Sequence, residues 1–319
     1  MQFFEEIRLA EKNIRPYLPK TPLIRCHALE HDLGVKNRIF LKCENLQWTN
    51  TFKPRGAFNA LLQLSRTEKK QGVIARSSGN FAQGLSYAGS ILNIPVTIVM
   101  PATVSQIKKE NTAKYGARIL FSEKGHYAEE QKKVVEIAQK EDLAVLSPFD
   151  HLHVIAGAGT IALEIWESLP TITQFFCQVG GGGLMAGTAT TFKSLNPLIE
   201  TIGIEPEGAN DFFLSRREGH RIRNDHSKTI ADGLRAPQVG ELNWPLLHNY
   251  VDKAATITDD QIKGALRYLY EKAGLCLEPS GAVSFAAMLY HPELLKQSGD
   301  AVCVLSGGNI DKQAFFDLI

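Results

Sequence analysis

A lysine at the start of a helix is electrostatically out of place, and this sequence contains one. In Thr51-Phe-Lys-Pro-Arg-Gly-Ala57, Pro54 reads as proline at a first helical position, with residues 55–64 behind it. That puts Lys53 at the cap, near free backbone N–H groups and the positive end of the dipole. Either the side chain turns into solvent or its amine is held as a nucleophile. A lysine in a partly desolvated, positive setting has a lowered pKa and can form a Schiff base.

Four further loops carry candidate chemistry. Ser77, Ser78, Gly79 and Asn80 follow a strand and open a helix. They are either ordinary caps or a cradle of hydroxyls, an amide and helix N–H groups for a carboxylate. Gly180, Gly181, Gly182 and Gly183, followed by Leu184, lie between a strand and a helix. Four glycines in a row cost chain entropy but let N–H groups approach a phosphate closely. The same run satisfies a dinucleotide fingerprint through Gly181, Gly183 and Ala186, with Glu205 placed as a ribose-binding acid. A nicotinamide or other nucleotide-binding protein is therefore a rival reading. In Glu205-Pro-Glu-Gly-Ala-Asn-Asp211, two carboxylates and the carbonyls between them could ligate a hard cation, or form a charged surface turn. Ser306-Gly-Gly-Asn309 ends an apolar strand and suits a ring-edge hydrogen bond, or caps the last helix.

The elements that must position these loops alternate. Strand patterns fall at 38–42, 73–75, 96–100, 118–121, 144–146, 175–179, 201–205 and 301–305. Residues 152–169 and 259–273 place apolar residues at a 3.6 period, the second after a capping box at Thr258 and Gln261. Such alternation predicts an α/β protein with open, mostly parallel sheets flanked by helices. The stretch 219–250 reads as a long loop that covers a site. The N-terminus reads as an amphipathic helix, not a signal peptide.

At 319 residues the chain is long enough for two domains. A break near 148–151 predicts a large domain of 1–48 plus 149–319 with a small domain, 49–148, inserted. The formal net charge of +1 gives no basis for a nucleic-acid or anionic-membrane partner. No apolar run approaches the roughly 18 residues of a membrane span. The five cysteines are scattered without a C-x-x-C, which predicts buried, reduced thiols in a cytoplasmic protein.

The loops together resemble the fold-type II pyridoxal-5′-phosphate (PLP) enzymes, of the tryptophan synthase β-like fold. Within them the chain is similar to the serine/threonine dehydratase and serine racemase family. TFKPRGAFNAL, RSSGNFAQGLSYA, GGGGLMAG, EPEGAND, LEPSGA and LSGGN occur in the family's order over nearly the whole chain. The resemblance implies that Lys53 is the Schiff-base lysine and that Phe52 and Asn80 flank the cofactor ring. It implies a phosphate cup at Gly180–Gly183 capped by the helix from Leu184, a ring-nitrogen partner in Ser306, and Glu278 lining the pocket. Ser77, Ser78, Gly79 and Asn80 would hold the substrate carboxylate. Glu205, the Ala209 carbonyl and Asp211 would hold a divalent cation, Mg2+, Ca2+ or Mn2+.

The implied activity is an ammonia-lyase converting L-serine or L-threonine to a 2-oxo acid and ammonia. Serine or aspartate racemisation and 3-hydroxyaspartate dehydration are alternatives, and a non-catalytic relative that keeps the fold as an interaction module is a third class. A homodimer is the family expectation. Two departures matter. The loop usually reads S-[SA]-G-N-H, but Phe81 replaces the histidine, which affects side-chain preference. Ser78, where many bacterial threonine dehydratases carry alanine, leans towards the racemase-like branch; donating a proton from the face opposite Lys53, it would allow racemisation. The chain stops soon after its last cofactor motif, so isoleucine feedback is not expected.

Overall fold

The computed structural model describes residues 2–104, 106–122 and 127–319. Its strands are β1 (Leu23–Arg25), β2 (Arg38–Cys43), β3 (Val73–Arg76), β4 (Val96–Pro101), β5 (Arg118–Ser122), β6 (Ala144–Val145), β7 (Ile172–Gln178), β8 (Glu200–Pro206), β9 (Lys253–Ile257) and β10 (Asp300–Leu305). They form a six-stranded sheet, ordered β1-β2-β10-β7-β8-β9, and a four-stranded sheet, ordered β5-β4-β3-β6. Every pairing is parallel except β1 with β2. This is the α/β architecture that the alternation predicts.

Burial on both faces explains the continuous apolar strands. Along β10, Ala301, Cys303 and Leu305 enter one core while Val302 and Val304 enter the other. In β7, Phe176 faces the first core, and Phe175 and Cys177 the second. A third core, with Ala57, Phe58, Val73, Phe81 and Ile98, packs against the four-stranded sheet.

Three elements depart from the sequence reading. β1 and β9 carry no strand signal. Both are edge strands of half-exposed residues, so neither needs an apolar run. Residues 243–250, read as loop, form a helix whose Pro245 lies in the first turn, where proline is tolerated. The N-terminal helix spans Gln2–Ile14. Cys276 is exposed rather than buried; the other four cysteines are buried, and all five are free thiols. Among the described residues, no helix is long and apolar enough to cross a membrane.

Small residues set how the site-bearing helices meet. Helix Leu152–Ser168 lies between helix Lys53–Leu62 and helix Gly183–Leu195. A Cβ on Gly157 would lie 2.4 Å from the Arg55 carbonyl oxygen, and one on Gly187 would lie 2.3 Å from that of Ile155. Backbone therefore touches backbone, and the middle helix fixes the lysine helix relative to the glycine loop.

Candidate active site

Lys53 is itself the first residue of its helix, and Phe52 is the cap. The sequence reading, with Lys53 at the cap, is off by one position. Its amine turns inward. Nζ donates to the Pro148 carbonyl at 3.0 Å and lies 4.8 Å from the Phe52 ring centroid and 5.8 Å from that of Phe81. Burial of the ammonium lowers its pKa to about 8, with Glu278 pulling the other way. The solvent-facing alternative is thus overturned.

The end of β10 holds the approach to this lysine. The Ser306 carbonyl accepts the Phe52 N–H and the Thr51 hydroxyl, each at 3.1 Å. Gly308 N–H donates to the Asn50 carbonyl at 2.9 Å, where Thr49 and Asn50 carry positive φ. Ser306 is buried, and the last helix is capped by Asp311 rather than by this loop.

Asn80 opens its own helix and joins three motifs. Its amide donates to Glu278 Oε1 at 2.5 Å, and its oxygen accepts from Asn309 at 2.8 Å. Burial raises the Glu278 carboxyl to about 7, with Asp232 adding to the shift and the Asn80 hydrogen bond opposing it. Ser77 takes the capping role, its oxygen accepting the Ala82 N–H at 3.1 Å. Ser78 and Gly79 are half-buried beside it.

The four glycines are required by what surrounds them. A Cβ on Gly181 would fall 2.2 Å from the Phe149 ring, and Gly182 has φ +96°. Gly182 caps the following helix without a side chain, so first-turn N–H groups face outwards with no internal cap. Asn243 braces the loop, donating to the carbonyls of Phe149 at 3.0 Å and Gly181 at 2.8 Å. The result is an uncapped helix N-terminus lined by backbone, suited to a phosphate.

Glu205 is buried and accepts the N–H groups of Phe212 at 3.1 Å and Phe213 at 2.6 Å. Turned into the protein, it is not placed to bind a ribose, which removes the support for the nucleotide reading. Burial raises its pKa well above the carboxylate range, and the neighbouring Asp211 raises it further. Asp211 is raised by burial to about 7, with the backbone N–H groups of Val239 and Asp211 opposing the shift, and neither of its buried carboxylate oxygens makes a well-formed hydrogen bond. Ala209 is buried between them in sequence. Among the described residues, no cluster of three or more His, Cys, Asp or Glu side chains could hold a metal.

Sequence reasoning missed Pro148, Phe149 and Asn243. The first two stand in the Ser-Pro-Phe-Asp segment that signalled only a boundary, and Asn243 lay in the stretch read as loop.

An inward lysine of lowered pKa beside a phosphate-shaped backbone cradle matches one family. The description "Pyridoxal-phosphate dependent enzyme" fits residues 14–307. The chain belongs to that PLP-dependent family. It is 38% identical to the L-threonine ammonia-lyase of Thermotoga maritima, over 96% of this chain and 75% of the relative. It is 36% identical to the L-threo-3-hydroxyaspartate ammonia-lyase of Saccharomyces cerevisiae, over 97% and 94%. The maize serine racemase structure superposes with a TM-score of 0.94 at 32% identity, covering 98% of this chain and 95% of that one. These relatives confirm the fold-type II PLP architecture and span both elimination and racemisation.

Proposed function

We propose that this PLP-dependent family member is an ammonia-lyase of L-serine or L-threonine. The observation that carries the reading is the inward Lys53 amine, its pKa lowered to about 8, which lies 4.8 Å from the Phe52 ring centroid. An amine of that pKa is neutral in about a fifth of molecules near pH 7.4, a far larger share than an ordinary lysine offers, which suits a base.

On this reading Lys53 would hold the cofactor, and its amine would take the substrate α-proton. The N–H groups of Gly180–Leu184 hold the phosphate. Ser306 bonds the ring nitrogen, and Phe52, Asn80 and Glu278 line the ring. When bound, PLP supplies the electron delocalisation that stabilises charge at the α-carbon. Ser77, Ser78, Gly79 and Asn80 hold the substrate carboxylate. The β-hydroxyl leaves as water with one proton, balancing the proton that Lys53 takes from the α-carbon; a second water then hydrolyses the unsaturated amino acid to ammonia and the 2-oxo acid. Phe81, buried with its ring centroid 5.8 Å from Lys53 Nζ, puts an apolar ring near the reacting amine and favours a small side chain over a charged one. Residues 49–148 act as a small unit inserted into the large one, and the protein works as a homodimer, as the resemblance implies.

Racemisation is the second reading, supported by Ser78 as a proton donor to the opposite face. A divalent cation, Mg2+ (or Ca2+ or Mn2+), at Glu205, Asp211 and the Ala209 carbonyl is a further proposal. It rests on the two buried Asp211 oxygens, neither in a well-formed hydrogen bond, which a hard cation would satisfy.

The test is an absorbance spectrum followed by serine, threonine and 3-hydroxyaspartate, with 2-oxo acid and enantiomer detection. The proposal expects a visible band lost in Lys53→Ala and 2-oxo acid from serine or threonine. Ser78→Ala should abolish racemisation and spare elimination. A band with no 2-oxo acid from any of the three would overturn the lyase reading; no band after adding PLP would overturn the cofactor assignment.

A further inference from the structure

At the rim of the site, Lys108 of helix Gln106–Ala113 forms an ion pair with Asp232. The two come from opposite sides of the pocket. Lys108's helix packs on helix Asn80–Leu92, beside the four-stranded sheet. Asp232 lies in the segment 229–235, on the side of the six-stranded sheet. That segment is anchored without Lys108. Ile230 N–H donates to Asp259 Oδ2 at 3.1 Å and Gly233 N–H to Ser280 Oγ at 2.9 Å, while Arg235 Nε ties the segment to itself through the Thr229 carbonyl at 2.8 Å. Leu234 also touches the phosphate-shaped loop, since a Cβ on Gly180 would lie 3.1 Å from its Cα.

Lys108 helps to line a cavity of about 160 Å3 together with Gly79, Asn80, Gln83 and Asn309. Two interior links also cross this gap, Asn80 to Glu278 and Asn80 to Asn309. Those are part-buried, whereas the side chains of the rim pair are 31% and 43% exposed. A partly exposed pair is weak and screened by salt. It can therefore break and re-form as a ligand enters and leaves, which a buried pair does not do readily.

We propose that Lys108 and Asp232 are positioning residues whose ion pair closes the Asn80 side of the pocket over the bound substrate. Lys108 carries the Ser77–Asn80 loop through the two packed helices. Asp232 carries the phosphate loop and the Glu278 segment through Leu234 and Gly233. The contact thus brings the carboxylate-holding loop and the cofactor-holding loop into one closed arrangement. This rests on reading the Ser77–Asn80 loop as the substrate-carboxylate site.

The experiment is a charge swap in the PLP-loaded protein: Lys108→Asp, Asp232→Lys and the double variant. Each single variant should raise KM for serine or threonine about five- to tenfold while changing kcat less, since a rim pair is lost and replaced by repulsion. The double variant should recover most of the loss. Wild type in about 1 M salt, where the screening length falls to about 3 Å, should behave like the single variants. Single variants with wild-type KM, or a double variant as impaired as the two losses combined, would overturn the inference.

Hydrogen exchange keeps this separate from the lyase reading. Amides of 106–113 and 229–235 should lose protection in the single variants and regain it in the swap, whether or not a 2-oxo acid forms. Unchanged exchange in the single variants sinks the closure role. Restored exchange in the swap, with no turnover in wild type, sinks the lyase reading alone.

Discussion

Two buried clusters of charge in this protein are built on opposite plans. Around Arg55, every charge is answered. Its guanidinium meets Glu44 at 2.7 Å and 2.9 Å and Glu164 at 2.8 Å and 2.9 Å. Lys42 adds a second cation, donating to Glu164 at 2.6 Å and to the Thr21 carbonyl at 2.8 Å. At the edge of the cluster Arg15 reaches Glu164 at 3.7 Å and also pairs with Glu11, so three cations meet three anions; the Arg55 and Lys42 charges hold Glu164 down at about 2. Among the described residues no counter-charge meets Glu205 or Asp211, and both carboxyls are pushed up. Balance marks a structural cluster, which locks the lysine helix to β2 and to helix Leu152–Ser168. Imbalance marks a place where something outside the chain is expected to complete the charge.

The sharpest way to break this comparison is Arg55→Met. It leaves Glu44 buried without its ion-pair partner and Glu164 with Lys42 as its one buried cation, and should cost about 3–5 kcal/mol of unfolding free energy, read by denaturant titration. A loss below about 1 kcal/mol, the worth of a surface pair, would show that the cluster is not what holds the lysine helix.

The second test is pH. Asp211 and Glu205 have folded pKa values above their unfolded ones, so the folded protein binds more protons. In the presence of a chelator, stability should therefore fall as pH rises from about 4 towards 7, at up to about 1.4 kcal/mol per pH unit for each extra proton. Mg2+, Ca2+ or Mn2+ should flatten that slope, and Asp211→Asn should reduce it without any cation. A chelator-independent, flat profile would refute the cation site.

The smallest effect concerns Glu278→Gln. Glu278 opposes the burial that lowers Lys53, so removing its charge should move the Lys53 titration further below about 8. The acylation rate of Lys53 against pH, followed by mass spectrometry, reads this directly. An upward shift would contradict the assigned contact.

Much of this was legible in the sequence because it is local. The glycine run, the Lys53 motif and the apolar strands announce themselves within a few residues. Proline in a first turn and a seryl cap are likewise short-range signals. What stayed hidden depends on distance along the chain. Arg55 and Glu164 are 109 residues apart and Lys108 and Asp232 are 124 apart, so no window contains either pair. Edge strands β1 and β9 lacked a signal because only a strand buried on both faces must be apolar throughout. Glu205 illustrates the opposite failure: its spacing after the glycine run suits a ribose acid, and only its inward orientation removes that role.

The position of β10 between β2 and β7 has a consequence for how the chain is made. Arg38 at the start of β2 pairs with Asp300, which leaves the ribosome 262 residues later. At about 5–20 residues per second, β2 waits roughly 13–52 s for its central neighbour. The segment from β3 to β6 holds its whole sheet within one stretch of chain and can close during that wait. Meanwhile β2, rich in Ile, Phe and Leu, stands as an open edge shielded on one side by β1 alone. Nascent chains truncated before residue 300 should therefore depend on holding chaperones, whereas the full-length chain should not.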